Sequence, residues 1–208
     1  MAADAPGARR MRPPRRPKLI IACGALVREI QAVLAANAIN TFDLRAVPAT
    51  FHNRPERIAP AVARLIDEAR PHYDEIFVAY AECGTAGALD RVLSEAGIDR
   101  LPGPHCYAFF SGAEAFEASG PDDFDAFYLT DFLARHFEAL VWRGLGLDRH
   151  PDLRDAYFAH YKRLIYLSQA ADADLVQRAE AAADRLGLAY EHRPVGYGDL
   201  ATEIAARA

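Results

Sequence analysis

Glu75-Ile76-Phe77-Val78-Ala79-Tyr80-Ala81-Glu82-Cys83-Gly84-Thr85 is the stretch that decides the fold. After one acid, six apolar residues follow without polar alternation, the pattern of a strand buried on both faces of a parallel sheet. Glu-Cys-Gly-Thr breaks the run, and Leu89, Val92 and Leu93 recur at helical spacing until Gly97. This is one βα unit, and the flanking sequence repeats it.

Upstream, Leu19-Ile20-Ile21-Ala22 reads as a buried strand ended by Cys23-Gly24, with helical spacing of Leu26, Ile30 and Leu34 behind it. Leu44-Arg45-Ala46-Val47 reads as a second strand, stopped by Pro48. Asn53 is then the expected cap, and Pro55 a first-turn residue, of a helix carrying Ile58, Val62, Leu65, Ile66 and Ala69. Downstream, Pro102-Gly103-Pro104 forces a loop, and Cys106-Tyr107-Ala108-Phe109-Phe110 reads as a fourth strand. The order β-α-β-α-β-α-β implies a parallel sheet with right-handed crossovers.

The second half is less regular. Ala126-Phe127-Tyr128-Leu129 reads as a strand, with Thr130 or Asp131 capping a helix that carries Leu133, Phe137, Leu140 and Val141 and ends at Gly144 and Gly146. Pro151 opens an aromatic helix with Tyr157, Phe158 and Tyr161, and Arg163-Leu164-Ile165-Tyr166-Leu167 is a further strand. An amphipathic helix spans about 172–186, then Ala189-Tyr190-Glu191-His192 and a terminal helix after Asp199. The expected class is α/β: an open, mainly parallel sheet with helices on both faces and Rossmann-like βα repeats. Residues 18–208 form a single α/β domain in this reading, with two βα halves, 18–120 and 121–208, as its finer division.

Of the 208 residues 51% are apolar and 25% charged, enough to bury a full core. The net charge of −5 hides an asymmetry. Arg9, Arg10, Arg12, Arg15, Arg16 and Lys18 face only Asp4 in the first 18 residues, so the remainder is acidic. An acidic body argues against nucleic-acid binding, which needs cations to displace phosphate counterions. The tail over 1–17, broken by Pro13, Pro14 and Pro17, lacks an apolar core and is not a secretory signal. It reads as a disordered, solvated segment, or else as an arm for an acidic partner. No apolar run reaches the ~20 residues of a membrane span. Three cysteines, an odd count without an export signal, fit the reducing cytoplasm.

Ligands of open parallel sheets bind beyond the carboxyl ends of the strands, where the βα loops converge. Cys23 and Cys83 end the first and third strands, and His52 lies just past the second. Cys106, beside His105, joins them if the preceding loop folds back over that edge or if residues 101–104 are extended. Thiolates suit zinc, copper(I) or iron–sulfur chemistry. Three protein ligands and an open position make a catalytic zinc site. The expected ligands are Cys23, Cys83 and Cys106, with His52 or His105 as a fourth ligand or an orienting group. Helix N-termini after Cys23 and Cys83 are expected to lower both thiol pKa values. A [4Fe–4S] cluster on the same cysteines is the alternative, and simple packing of three buried thiols is the structural one.

Glu82 and His105 are candidate proton-transfer residues, set against capping or solvated roles. Gly24, Gly84, Thr85, His52 and Asp131 are candidate cofactor-binding positions. Gly84-Thr85-Ala86-Gly87 suits an anion at a helix start but is neither a P-loop nor a dinucleotide fingerprint. Arg135 and His136 follow Asp131 and either line the same edge or sit on an ordinary helix, and Asp148-Arg149-His150-Pro151 reads as a polar cap with a surface ion pair or else as an anion site. The aromatic stretch over 127–166 suits either a core or a homodimer interface.

Six segments together resemble domain-of-unknown-function family 1638: Ile21-Ala22-Cys23-Gly24-Ala25-Leu26, Phe51-His52-Asn53-Arg54-Pro55, Cys83-Gly84-Thr85, His105-Cys106-Tyr107, Phe127-Tyr128-Leu129-Thr130-Asp131 and Leu147-Asp148-Arg149-His150-Pro151. The resemblance runs from about Leu19 to Gly198. It implies no established activity. It does imply a genomic setting beside corrinoid proteins and methylamine-type methyltransferases, and hence a corrinoid protein or methyltransferase as partner. The resulting expectation is a zinc protein assisting corrinoid-linked methyl transfer, as a methyltransferase or a component of one. A non-catalytic corrinoid or metal carrier and a scaffold subunit are the rival classes.

Overall fold

The computed structural model describes residues 18–208, so the expectation for the basic tail falls outside it. β1 (Lys18–Cys23) lies between β2 (Phe42–Val47) and β3 (Glu75–Ala79), parallel to both. A 3₁₀ turn, Gly24–Leu26, leads into α1 (Val27–Ala36), which returns the chain to β2. α2 (Ile58–Ala69) carries it from β2 to β3, and α3 (Ala88–Ala96) follows β3, closed by Gly97 in the left-handed region. α4 (Cys106–Ser111) and α5 (Ala113–Asp123) lead to a second parallel sheet.

That sheet comprises β4 (Ala126–Thr130), β5 (Arg163–Ser168) and β6 (Ala189–Pro194), in sequential order. α6 (Asp131–Phe137), a π-helix over Glu138–Trp142 and α7 (Leu153–Phe158) connect β4 to β5. α8 (Ala173–Leu186), capped by the Asp172 carboxylate, connects β5 to β6, and α9 (Gly198–Ala205) ends the chain. The α/β class and the βα halves hold. The open parallel arrangement holds as well, carried by two three-stranded sheets.

Crossover handedness places the helices. In the order β2-β1-β3 the chain first steps one way and then back, so α1 and α2 cover opposite faces. In the order β4-β5-β6 both steps go the same way, and α6 and α8 share a face. The other face is covered by the α4–α5 region: Tyr107 stacks on Tyr128 at 5.1 Å, and Phe116 lies 5.8 Å from the same ring. Leu19, Ile20 and Ile21 are wholly buried in the first core, each contributing about 1.5–3 kcal/mol of burial. Leu200 and Ile204 of α9 belong to that same core, so the last helix crosses back to the first half.

Two local expectations are corrected. The segment after His105 is helix α4, not a fourth strand. Ala108, Phe109 and Phe110 are buried in succession, which a helix wedged between the two sheets accommodates. The place beside β3 is taken instead by residues 99–101. The Val78 amide donates to Asp99 O and the Leu101 amide to Val78 O, both at 3.1 Å, and Pro102, which has no N–H to offer, follows. Nor does Asn53 cap a helix. Pro55–Arg57 forms a 3₁₀ turn before α2, and the Asn53 side chain donates to Leu140 O at 3.1 Å, tying one half to the other. No helix among the described residues is long and apolar enough to cross a membrane.

Candidate functional site

The order β2-β1-β3 reverses direction between β1 and β3, and the carboxyl ends of those two strands open a crevice. Cys23 ends β1. Gly24 must follow it, because a Cβ there would stand 2.9 Å from both Val47 O and Ala49 N as the end of β2 passes. Tyr80 and Cys83 come off β3. The Glu82 and Cys83 amides donate to Gly103 O (3.2 Å) and Pro104 O (2.9 Å), drawing the Pro-Gly-Pro loop along the crevice. That is the fold-back required to bring Cys106 to the same edge.

The result is a cavity of about 210 Å³ lined by Cys23, Cys83, Cys106, His52 and Tyr80. Its facing wall comes from the second half: Phe127, Phe132, Leu133, Leu140, Val141 and Leu145. The π-helix supplies Leu140 and Val141, and the Leu140 carbonyl is the one held by Asn53. Wide turns of this kind are frequent at functional sites.

Burial dominates the electrostatics. It raises the Cys23 pKa, pushes Cys83 up to about 12 and carries Cys106 well above the usual thiol range. The charge of the neighbouring thiols adds to the rise at Cys83 and Cys106. The expected lowering by helix N-termini is therefore overturned. Cys23 is followed by only three residues of 3₁₀ helix, and α3 begins five residues after Cys83, so neither thiol has a strong dipole to offset desolvation. The Tyr80 hydroxyl lies beside Cys23 but makes no hydrogen bond of ordinary geometry, and its pKa too is raised by burial. His52 stands at the rim. Although its residue remains exposed, the protein crowding the ring lowers its pKa, and the charge of His105 lowers it further.

The other candidates sit elsewhere. His105 is exposed and outside the cavity lining, 6.2 Å from the Tyr107 ring. Glu82 does not point at the thiols for proton transfer. Its carboxylate accepts from the Thr85 hydroxyl (2.7 Å) and the Gly84 and Gly87 amides (2.8 and 3.1 Å), bonds that hold its pKa below the usual carboxylate value. Gly84 and Thr85 are thus parts of a loop staple. Asp131, buried, accepts from the Tyr166 hydroxyl (2.7 Å) and the Gln169 and Ala170 amides (3.0 Å each), so its oxygens are engaged within the second half. Among the described residues no three His, Cys, Asp or Glu side chains already stand in a metal-holding array.

Tyr80 and the apolar wall escape a reading of the sequence. A tyrosine closing an aliphatic strand is one signal. The adjacent pairs Phe132-Leu133 and Leu140-Val141, wider than a single helix face needs, are another.

No curated protein and no solved structure matches the chain. A family model, described as a protein of unknown function (DUF1638), matches residues 46–204, a span that contains His52, Cys83 and Cys106 and begins after Cys23. The chain belongs to the DUF1638 family.

Proposed function

We propose that the chain binds a thiophilic metal ion, zinc, through Cys23, Cys83 and Cys106, and that the metal-bound protein assists methyl transfer in corrinoid-linked one-carbon metabolism. One observation carries the metal: thiols from three separate segments line one cavity, near enough that the charge of Cys23 disfavours ionisation of Cys83 and Cys106. Three thiolates there repel one another without a cation, and a dication offsets both that repulsion and their desolvation. Binding requires the thiols to turn about their χ1 bonds toward a common point, from the rotamers they now hold. His52, kept neutral by its surroundings, has the protonation state a ligand or a base needs.

Zinc in such a site lowers the pKa of a bound thiol acceptor. The residues of the chain do the rest. The wall from the second half keeps water from the reacting atoms, the Tyr80 hydroxyl donates a hydrogen bond to the acceptor atom, and His52 takes the acceptor's proton. In the transfer a carbon–sulfur bond forms as the cobalt–carbon bond of methylcobalamin breaks, the electron pair staying on cobalt.

The test is metal analysis of protein purified without an affinity tag. Stoichiometric zinc is expected. Cys83→Ser should lose it while keeping the far-ultraviolet circular dichroism of the parent, and full retention would remove Cys83 from the ligand set. Iron with a broad visible band would replace zinc by a [4Fe–4S] cluster on the same cysteines. Methyl transfer from methylcobalamin to thiols or tetrahydrofolate tests the second part. Tight corrinoid binding without turnover would make the protein a carrier.

A further inference from the structure

The wall opposite the thiols bears on what the site accepts. Among the described residues, no Asp, Glu, Lys or Arg lines the cavity. Six of the lining side chains, from Phe127 to Leu145, are aromatic or aliphatic and come from β4, α6 and the chain through and just past the π-helix. A charged ligand entering here meets no counter-charge, and burying an unpaired charge costs several kcal/mol or more. The volume, about 210 Å³, exceeds the ~150 Å³ of an apolar cavity that accepts benzene, so a body of that size with one heteroatom fits. The three thiols lie within interaction range of the Tyr80 hydroxyl. The Tyr80 hydroxyl is buried there beside Cys23 without a hydrogen bond of ordinary geometry, and a buried donor so poorly satisfied is a standing cost that a ligand acceptor atom removes.

We infer that the cavity selects an uncharged, short-chain alkyl thiol. Its alkyl body lies against Phe127, Phe132, Leu140 and Val141, and its sulfur against the thiols and the Tyr80 hydroxyl. The inference rests on the site assigned above, and it deepens that assignment by fixing the acceptor class. Anionic thiols are excluded by the same wall that admits the alkyl chain. The cavity is thus built to discriminate by charge rather than by length alone.

The experiment compares 1-butanethiol with 3-mercaptopropionate, near in size and different in charge at pH 7. Binding is measured anaerobically by calorimetry on the full chain, both zinc-loaded and metal-free. The uncharged thiol should bind at least roughly tenfold more tightly in both forms. Leu140→Trp, which fills the cavity from a half-buried position, should abolish its binding while zinc content and circular dichroism stay unchanged. Tyr80→Phe should weaken it severalfold, again with zinc retained.

Equal or tighter binding of 3-mercaptopropionate, or unchanged binding by a folded Leu140→Trp protein, would overturn the inference. The two readings fail separately. Discrimination by metal-free protein that takes up no zinc would sink the metal assignment and leave the ligand class standing. Zinc uptake without discrimination would do the reverse.

Discussion

Cys83 holds a left-handed backbone, φ 51°, within a loop where Gly84, Ala86 and Gly87 do the same at 76°, 52° and 76°. Non-glycine residues there cost on the order of 1 kcal/mol or more each, and the Glu82 carboxylate bonds are what hold them. The loop thus fixes the backbone from which the Cys83 thiol turns before any ligand arrives. Glu29 is a second residue under stress. It is 5% exposed, its Oε2 has no partner, and its pKa is raised first by burial and then by the charge of Asp131, against the opposing pull of Arg135 and Arg28. Tyr197 also faces it. A carboxyl whose pKa is raised on folding gives its full contribution below the ordinary value of 4.5 and loses it as pH climbs through the folded value. At pH 7 the buried charge is a net cost. Glu29→Gln should therefore raise stability by on the order of 1 kcal/mol at pH 7. That gain should shrink toward zero near pH 4, as read from urea midpoints at the two pH values.

At the scale of elements, β1, β3 and β5 were legible because their side chains alone demand burial on both faces. The five strands read from the sequence that the structure keeps, β1 to β5, appear within two residues of their expected bounds. The segment after His105 misled because Cys-Tyr-Ala-Phe-Phe has a strand's composition, and only the neighbouring β5 and α9 make a buried helix the better solution. The thiol edge was legible for a topological reason: residues that end parallel strands share an edge. The wall was not, since nothing local says that the helix after β4 faces the loops of another sheet. Thr130 and Asp131 show how that helix is fixed. The Thr130 hydroxyl accepts from the Leu133 amide at 3.4 Å, and Asp131 gathers Tyr166, Gln169 and Ala170 from the end of β5. Asp131→Asn turns one acceptor into a donor facing an N–H or O–H. It should cost about 2–3 kcal/mol, read as a lower urea midpoint with an unchanged slope.

At the scale of the whole molecule, the two sheets are separate but the halves are not. Asn53 holds Leu140 O, the cavity takes lining from both sides, and α9 fills the core of the half that comes first in sequence. Deleting residues 197–208 would expose the surface that Leu200 and Ile204 cover, both wholly buried. Each loss is worth about 1.5–3 kcal/mol of burial, enough together to consume much of a typical domain's stability. The truncated chain should melt well below the parent, with the first half losing amide-exchange protection before the second. Equal protection in both halves would show that they unfold as one unit.

The position of α9 also bears on how the protein is born. A ribosome delivers the apolar strands β1 and β3 early and the helix that seals them last. At ordinary synthesis rates of roughly 5–20 residues per second, the nascent first half waits on the order of ten seconds with that face bare. Through that interval the surface that Leu200 and Ile204 later cover stays open to water, and the first core closes only when α9 reaches it.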